Sequence, residues 1–230
     1  MTELVQFSID DGIATITLNN GKVNALSHDV IAGIHTCLDR AEEAAAVVII
    51  TGQAGILSGG YDLKVMKTGP QAVRDLVAAG SALTRRMLAH PQPIIVACTG
   101  HAVAKGAFLL LACDYRIGIE GPYQIGLNEV KIGMTMHSVG LALARDRLTP
   151  AVFQRAVVNA EMFSPQAAAA AGFLDQVVTA DVLTETALAV AQQFKGLHTK
   201  AHAQTKLKAR KALLEALDAG IEVDKLTGLD

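Results

Sequence analysis

Apolar and polar positions alternate over Ile13–Leu18, the period of a half-buried strand, between the turn residues Asp11-Gly12 and Asn19-Asn20-Gly21. The period then lengthens. Ser27 offers a helix N-cap, Asp29 falls in the first turn, and Val30, Ile31, Ile34, Leu38 and Ala41 recur at helical spacing. Val47–Thr51 is a short continuous apolar run closed by Gly52, which predicts a strand covered on both faces. Residues 55–60 read as a glycine-rich loop, followed by a helical stretch to about Leu88. Residues 93–98 form a second fully apolar strand that ends in a Gly-containing turn. Residues 104–112 read as a buried helix and Tyr115–Ile119 as another strand. Thr149-Pro150 and Ser164-Pro165 place proline just after a capping residue, the favoured start of a helix. Beyond residue 140 the chain is Ala-rich and helical, and no linker, repeat or low-complexity tract divides it. Strands alternating with helices, then helices alone, predict an α/β core with a helical tail.

Composition narrows the function classes. The 230 residues are 51% hydrophobic and 18% charged, enough for one substantial core. A net charge of −2 gives no electrostatic footprint for nucleic acid or an anionic membrane, and neither is expected as a partner. The only basic run, 206–211, reads as the solvated face of a C-terminal helix or, more sharply, as a phosphate-binding edge. Cys37, Cys98 and Cys113 lack paired spacing and read as small buried hydrophobes in a reducing compartment. The N-terminal residues carry acidic groups and no apolar signal-peptide core, and the longest apolar stretches fall short of a membrane span. The expectation is a soluble cytoplasmic protein.

Three segments could carry chemistry. In Ser58-Gly59-Gly60-Tyr61-Asp62-Leu63, paired glycines allow backbone conformations that turn the next N–H toward a ligand. Residues 100–108 begin a helix after the second apolar strand, and the first N–H groups of a helix have no intrahelical partner. Two such strand-end loops could form an oxyanion hole, although glycine-rich turns are usually only turns. Glu129, in the apolar, Gly-punctuated segment 123–133, would have a raised pKa if enclosed and could exchange protons with carbon. The plainer alternative is an exposed loop Glu beside Lys131.

Five segments in order resemble the enoyl-CoA hydratase/isomerase (crotonase) superfamily. They are NNGKVNAL at 19–26, VIITGQAGILSGGYDL at 48–63, residues 93–114, residues 126–133, and FSPQAAAAAGFLDQVV at 163–178. The resemblance spans about residues 13–178. It implies an α/β, ClpP/crotonase-like spiral core of stacked ββα units at 1–190. A C-terminal helical region at 191–230 would belong to the same domain and serve oligomerisation, as a homotrimer or hexamer. It further implies an acyl-CoA substrate of fatty acid metabolism, with no cofactor beyond the coenzyme A thioester and no metal. By matching position, the N–H groups of Tyr61 and Lys105 would hold the thioester oxygen and stabilise an enolate. The pantetheine and adenine would run past Lys22, Val23, Ala25 and Leu26 and past Tyr61, Asp62, Leu63 and Lys64. Tyr61 and Phe108 suggest a bulky apolar pocket wall, and Lys206, Lys208, Arg210 and Lys211 are candidate phosphate contacts.

The departures are informative. Lys105 stands where the family usually has Gly; a structurally tolerated, snorkelling side chain is favoured over a charge beside the enolate. Phe108 replaces the first of a hydratase's two glutamates, while Glu129 matches the second. His137 stands eight residues beyond Glu129, where dienoyl-CoA isomerases of the family place an Asp. It is either a proton donor or acceptor, or a His packed among methionines with one satisfied hydrogen bond. His101 reads as structural. Ser58 is a poor nucleophile, because no His–acid pair is placed to activate it, and a ClpP-type triad has no counterpart. One glutamate plus an oxyanion hole suits an enoyl-CoA isomerase with Glu129 as acid/base. The alternatives are an enoyl-CoA hydratase (a lyase) using His137, another enolate chemistry such as decarboxylation or thioester hydrolysis, and a silent acyl-CoA-binding protein.

Overall fold

The structure is a computed structural model and describes residues 4–226. Residues 1–3 and 227–230, the two ends of the expected core and tail, lie outside the described residues. The chain opens with an antiparallel pair, β1 (Val5–Asp10) and β2 (Ile13–Leu18). Helix α1 (His28–Glu43) follows, with the Ser27 side chain accepting from the Val30 N–H as expected. Next come β3 (Val47–Thr51), β4 (Gly55–Ser58), the single turn α2 (Leu63–Met66) and the long α3 (Pro70–Ala89). The pattern repeats with β5 (Ile94–Cys98), β6 (Gly100–Val103) and α4 (Lys105–Leu111), then β7 (Tyr115–Ile119) and β8 (Ile125–Gly126). The remainder is α5 (Ser138–Arg147), α6 (Pro150–Val157), β9 (Met162–Phe163), α7 (Pro165–Ala171), β10 (Gln176–Val178), α8 (Leu183–Lys195), α9 (Thr199–Ala209) and α10 (Lys211–Leu226).

Successive strands serve two sheets. The larger has the order β1-β2-β3-β5-β7-β10 and the smaller β4-β6-β8-β9. Each turn of the spiral lays one strand in the large sheet and the next in the small one. Strands β3, β5 and β7 are mainly apolar because both faces are covered. One face packs on α1, α3 and α4. The other, through Ile49, Ile95 and Ile117, meets Leu183, Ala187 and Ala191 of α8.

The small sheet corrects the expected loop at 55–60: residues 55–58 are a strand paired in parallel with β6. The glycines that read as turn signals permit close strand approach instead. A Cβ on Gly100 would lie 2.1 Å from the Gly55 backbone, and one on Gly52 would lie 2.3 Å from the Ile56 carbonyl. Strand β1 escapes the alternation because only Val5 and Phe7 pack inward and Ile9 is exposed. Strand β10 interrupts the region expected to be helical and extends the large sheet beside β7.

The basic run 206–211 is neither a solvated face nor a phosphate edge at two of its positions. Lys206 is buried, and its ammonium donates to the carbonyls of His90 (2.8 Å) and Gln92 (3.1 Å) and to Asp114 (2.7 Å). Arg210 donates to the Leu88 carbonyl (2.9 Å) and to Asp114 (2.8 Å). The two cations therefore close the C-terminal end of α3, where carbonyls lack helical partners. Burial alone would raise the Asp114 carboxyl, but Lys206 and Arg210 hold it below the usual carboxylate range. Lys208 and Lys211 remain exposed. The three cysteines are buried, and none of them forms a disulfide among the described residues. Among the described residues, no helix is long and apolar enough to cross a membrane.

Candidate active site

The first loop is held by a dense set of bonds that leaves one donor over. Buried Asn24 donates to the carbonyls of Leu18 (2.9 Å) and Leu57 (3.2 Å), tying the 19–26 segment to β4. Ser58 donates to the Asn24 carbonyl (2.7 Å) and accepts from the Gly60 N–H (3.1 Å), so its hydroxyl is structural. Gly59 N–H donates to Val23 and Asp62 N–H to Leu26, while the Gly60 carbonyl accepts from Leu26. Of the N–H groups at 59–62, only that of Tyr61 has no acceptor among the described residues.

The second loop meets the first. Ala104 has φ 51°, a left-handed conformation that turns the chain sharply from β6 into α4. Its N–H donates to the Gly126 carbonyl, and its carbonyl accepts from Ala107 and Phe108. The Lys105 N–H, first in the helix, is left without an acceptor among the described residues. A Cβ on Gly60 would lie 3.0 Å from the Ala104 Cβ and 3.5 Å from the Lys105 nitrogen, so the loops touch beside both free N–H groups.

The Lys105 side chain does not snorkel. It is 1% exposed, and its ammonium donates to the Gly80 carbonyl (2.6 Å) and to the Thr84 hydroxyl on α3. Burial drives it down to about 7, with Glu129 opposing that shift. Gly80 interrupts the helical pattern for a reason: a Cβ there would lie 2.1 Å from the Tyr61 hydroxyl, which packs against α3 and donates to the Val77 carbonyl (3.4 Å).

A cleft of about 130 Å³ opens below these loops. Its walls include Tyr61, Leu63, Met66 and Val77 on one side and Asn128, Glu129, Ile132 and His137 on the other. Glu129 caps a single 3-10 turn, Val130–Ile132, closed by Gly133 at φ 81°. It is buried, and its Oε2 has no hydrogen-bond partner among the described residues. Burial raises this carboxyl to about 7, against a lowering by its own backbone N–H and by Lys105. The exposed-loop alternative for Glu129 is thereby corrected.

His137 is buried at the start of α5, and burial together with the charge of Lys105 holds its imidazole down to about 4. It is neutral at pH 7. Its ring makes no hydrogen bond among the described residues and stands edge-on to Phe108, with centroids 5.3 Å apart. Gly140 makes this possible, since a Cβ there would lie 2.7 Å from His137 Cε1 and 2.8 Å from Phe108 Cζ. Phe108 itself is 1% exposed and backs His137 instead of lining the cleft. His101 is structural, as expected: its Nδ1 accepts from the Gln124 N–H (3.0 Å) and its ring packs on Tyr123.

The expected ligand track divides. Lys22, Val23, Leu63 and Lys64 are exposed and Ala25 is half-buried. Asp62 caps α2 through the Lys64 N–H (2.8 Å). Leu26 is fully buried, its N–H and carbonyl bonded to Gly60 and Asp62, so it offers no exposed surface. Sequence reasoning missed Met66, Val77, Asn128, Ile132, Met134 and Thr135 in the cleft. Gly80 and Gly140, each inside a helix, are signals that could have pointed to close approach beside the cleft.

A two-sheet α/β spiral with facing strand-end loops over a mainly apolar cleft that holds a few polar groups has the form of a small-ligand site. The family model "Enoyl-CoA hydratase/isomerase" matches residues 8–227, and the chain belongs to this family and has its crotonase fold. A solved enoyl-CoA hydratase/isomerase family protein from Pseudomonas syringae is 63% identical, with 98% of each chain covered and a TM-score of 0.97. The human mitochondrial enoyl-CoA delta isomerase 1 is 29% identical over 93% of this chain and 72% of its own length. A probable enoyl-CoA hydratase of Bacillus subtilis is 33% identical over 56% of this chain, and the match spans about half of that relative (52%).

Proposed function

We propose that this protein is an enoyl-CoA isomerase that moves a double bond by proton transfer through Glu129. The observation that carries the reading is a buried carboxylate with an unpartnered oxygen in the cleft, while Phe108 provides no second carboxylate. Glu129 removes the C2 proton of a 3-enoyl-CoA, and the electron pair moves onto the thioester oxygen. The N–H groups of Tyr61 and Lys105 hold that oxygen as a dienolate. The protonated Glu129 then delivers the proton to C4, giving the conjugated 2-enoyl-CoA. A carboxyl near pH 7 suits both halves of this cycle, because it neither holds nor releases the proton too strongly. The coenzyme A portion lies along Lys22, Val23, Ala25, Leu63 and Lys64, and no cofactor is needed. Assembly as a homotrimer or hexamer follows the family expectation.

Hydration is the second reading, favoured by neutral His137 in the same cleft and by the hydratase name of a relative. A silent binder would have no use for an enclosed, unpartnered carboxylate, whose burial is costly. Absorbance of the conjugated thioester decides between these readings. The isomerase produces it from 3-hexenoyl-CoA and leaves crotonyl-CoA untouched. Rapid loss of crotonyl-CoA absorbance with no turnover of the 3-enoyl ester would overturn the proposal.

A further inference from the structure

Helix α5 carries His137 as its N-cap, yet the imidazole makes no capping bond. An uncapped helix start leaves N–H groups without partners, and in a buried position these must be satisfied. The acceptor comes from 86 residues away. Asp224, on the last turns of α10, accepts from the Ser138 N–H at 2.8 Å through Oδ1 and from the Val139 N–H at 3.2 Å through Oδ2. Asp224 as a residue is only 6% exposed. The approach is close because α10 carries Gly220 one turn earlier, where a Cβ would lie 3.2 Å from the Val139 nitrogen. Helix α10 also packs along α3, the opposite wall of the cleft, and the Arg85–Asp218 ion pair joins the two at 2.8 Å.

We propose that Asp224 is a positioning residue for the site: by capping α5 from the C-terminal helix, it frees the His137 imidazole to face the cleft. An ordinary N-cap at position 137 would fold back onto the Val139 or Gly140 N–H and withdraw from the cleft. Supplying the cap from α10 separates the two tasks. The other charged or titratable groups facing this region are Lys105 from α4, Glu129 from its 3-10 turn and Tyr61 from the first loop. None of them is bonded to the α5 N–H groups. This inference rests on the isomerase reading of the cleft and adds to it a part in turnover for His137, which lines the cleft together with Glu129.

The test is a double-mutant cycle of Asp224→Ala and His137→Ala on the full chain, with kcat and KM measured on 3-hexenoyl-CoA. Asp224→Ala is expected to lower kcat by roughly 10- to 100-fold while KM moves less than about threefold. In the His137→Ala background, the same change should cost less than about twofold, because the ring it positions is gone. If Asp224→Ala does not fold, Asp224→Asn, which keeps one oxygen acceptor at the Ser138 N–H, takes its place in the cycle. A folded Asp224 variant with kcat within about twofold of wild type overturns the inference, as do losses that simply multiply. His137→Ala at full activity also overturns it but leaves proton transfer by Glu129 standing. The isomerase reading fails separately, on an active Glu129→Gln enzyme.

Discussion

Glu129→Gln should abolish turnover and stabilise the fold at the same time. Gln preserves the shape of the side chain and cannot accept a proton from carbon. A positioned general base is worth about 10²–10⁴ in rate, so the variant should lose at least about 3–5 kcal/mol of transition-state stabilisation. The stability effect has the opposite sign. The Glu129 carboxyl lies at about 7 in the folded protein against an ordinary 4.5. An acid with a raised folded-state value contributes stability that is present below about pH 4.5 and lost as pH rises through about 7. The loss amounts to about 3–4 kcal/mol at about 1.4 kcal/mol per pH unit. Gln does not titrate, so the variant should match wild type near pH 4 and exceed it by about 3–4 kcal/mol at pH 8.5. Urea denaturation at the two pH values reads the stability. Absorbance with 3-hexenoyl-CoA reads turnover, and calorimetry with butyryl-CoA verifies that binding persists. In wild type, kcat/KM should rise about tenfold per pH unit below 7 and level off above it. Unchanged turnover, a flat acid limb, or a variant less stable at pH 8.5 would refute the reasoning.

Three further outcomes follow from the same structure. Lys105→Met should stabilise the protein at pH 6–7 by about 1–4 kcal/mol, because the folded state holds this amine well below its ordinary value. That gain should shrink as pH approaches about 10.5, where the unfolded amine also loses its charge, and denaturation midpoints across pH test it. Phe108→Glu should fail to create hydration of crotonyl-CoA, since position 108 lies behind His137. It should cost about 3–5 kcal/mol by burying a carboxylate in place of a packed ring, measured by thermal unfolding. Asp114→Ala strands the Lys206 ammonium and Arg210 guanidinium beneath the C-terminal helices. It should destabilise by about 3–5 kcal/mol without a change in KM when kinetics are measured below the unfolding transition.

Elements that bury a repeating face were legible along the chain. Helix α1, the strands β2, β3, β5 and β7, and the proline-started helices α6 and α7 all lie where their periods and caps place them. The small sheet was not legible. Its strands are two to four residues long, and their glycines are needed for close approach, the signal that ordinarily marks a turn. Glu129 and His137 could be singled out as polar groups in apolar company, and both line the cleft. Lys105 was misjudged because sequence shows a long charged side chain without showing that α3 offers it a carbonyl and a hydroxyl. Lys206 was misjudged for the same reason, its partners lying 92 to 116 positions away.

The sequence by itself determined the alternation of strands and helices, the order of the motif segments, and the absence of a second glutamate at Phe108. These are local properties, set by side-chain period, caps and residue identity. Only the tertiary structure decided which donors remain free, which charges are enclosed, and that Asp224 closes the helix bearing His137. Those outcomes depend on bonding partners brought together from distant parts of the chain and on the exclusion of water around them. Neither condition is written in the neighbourhood of any one residue.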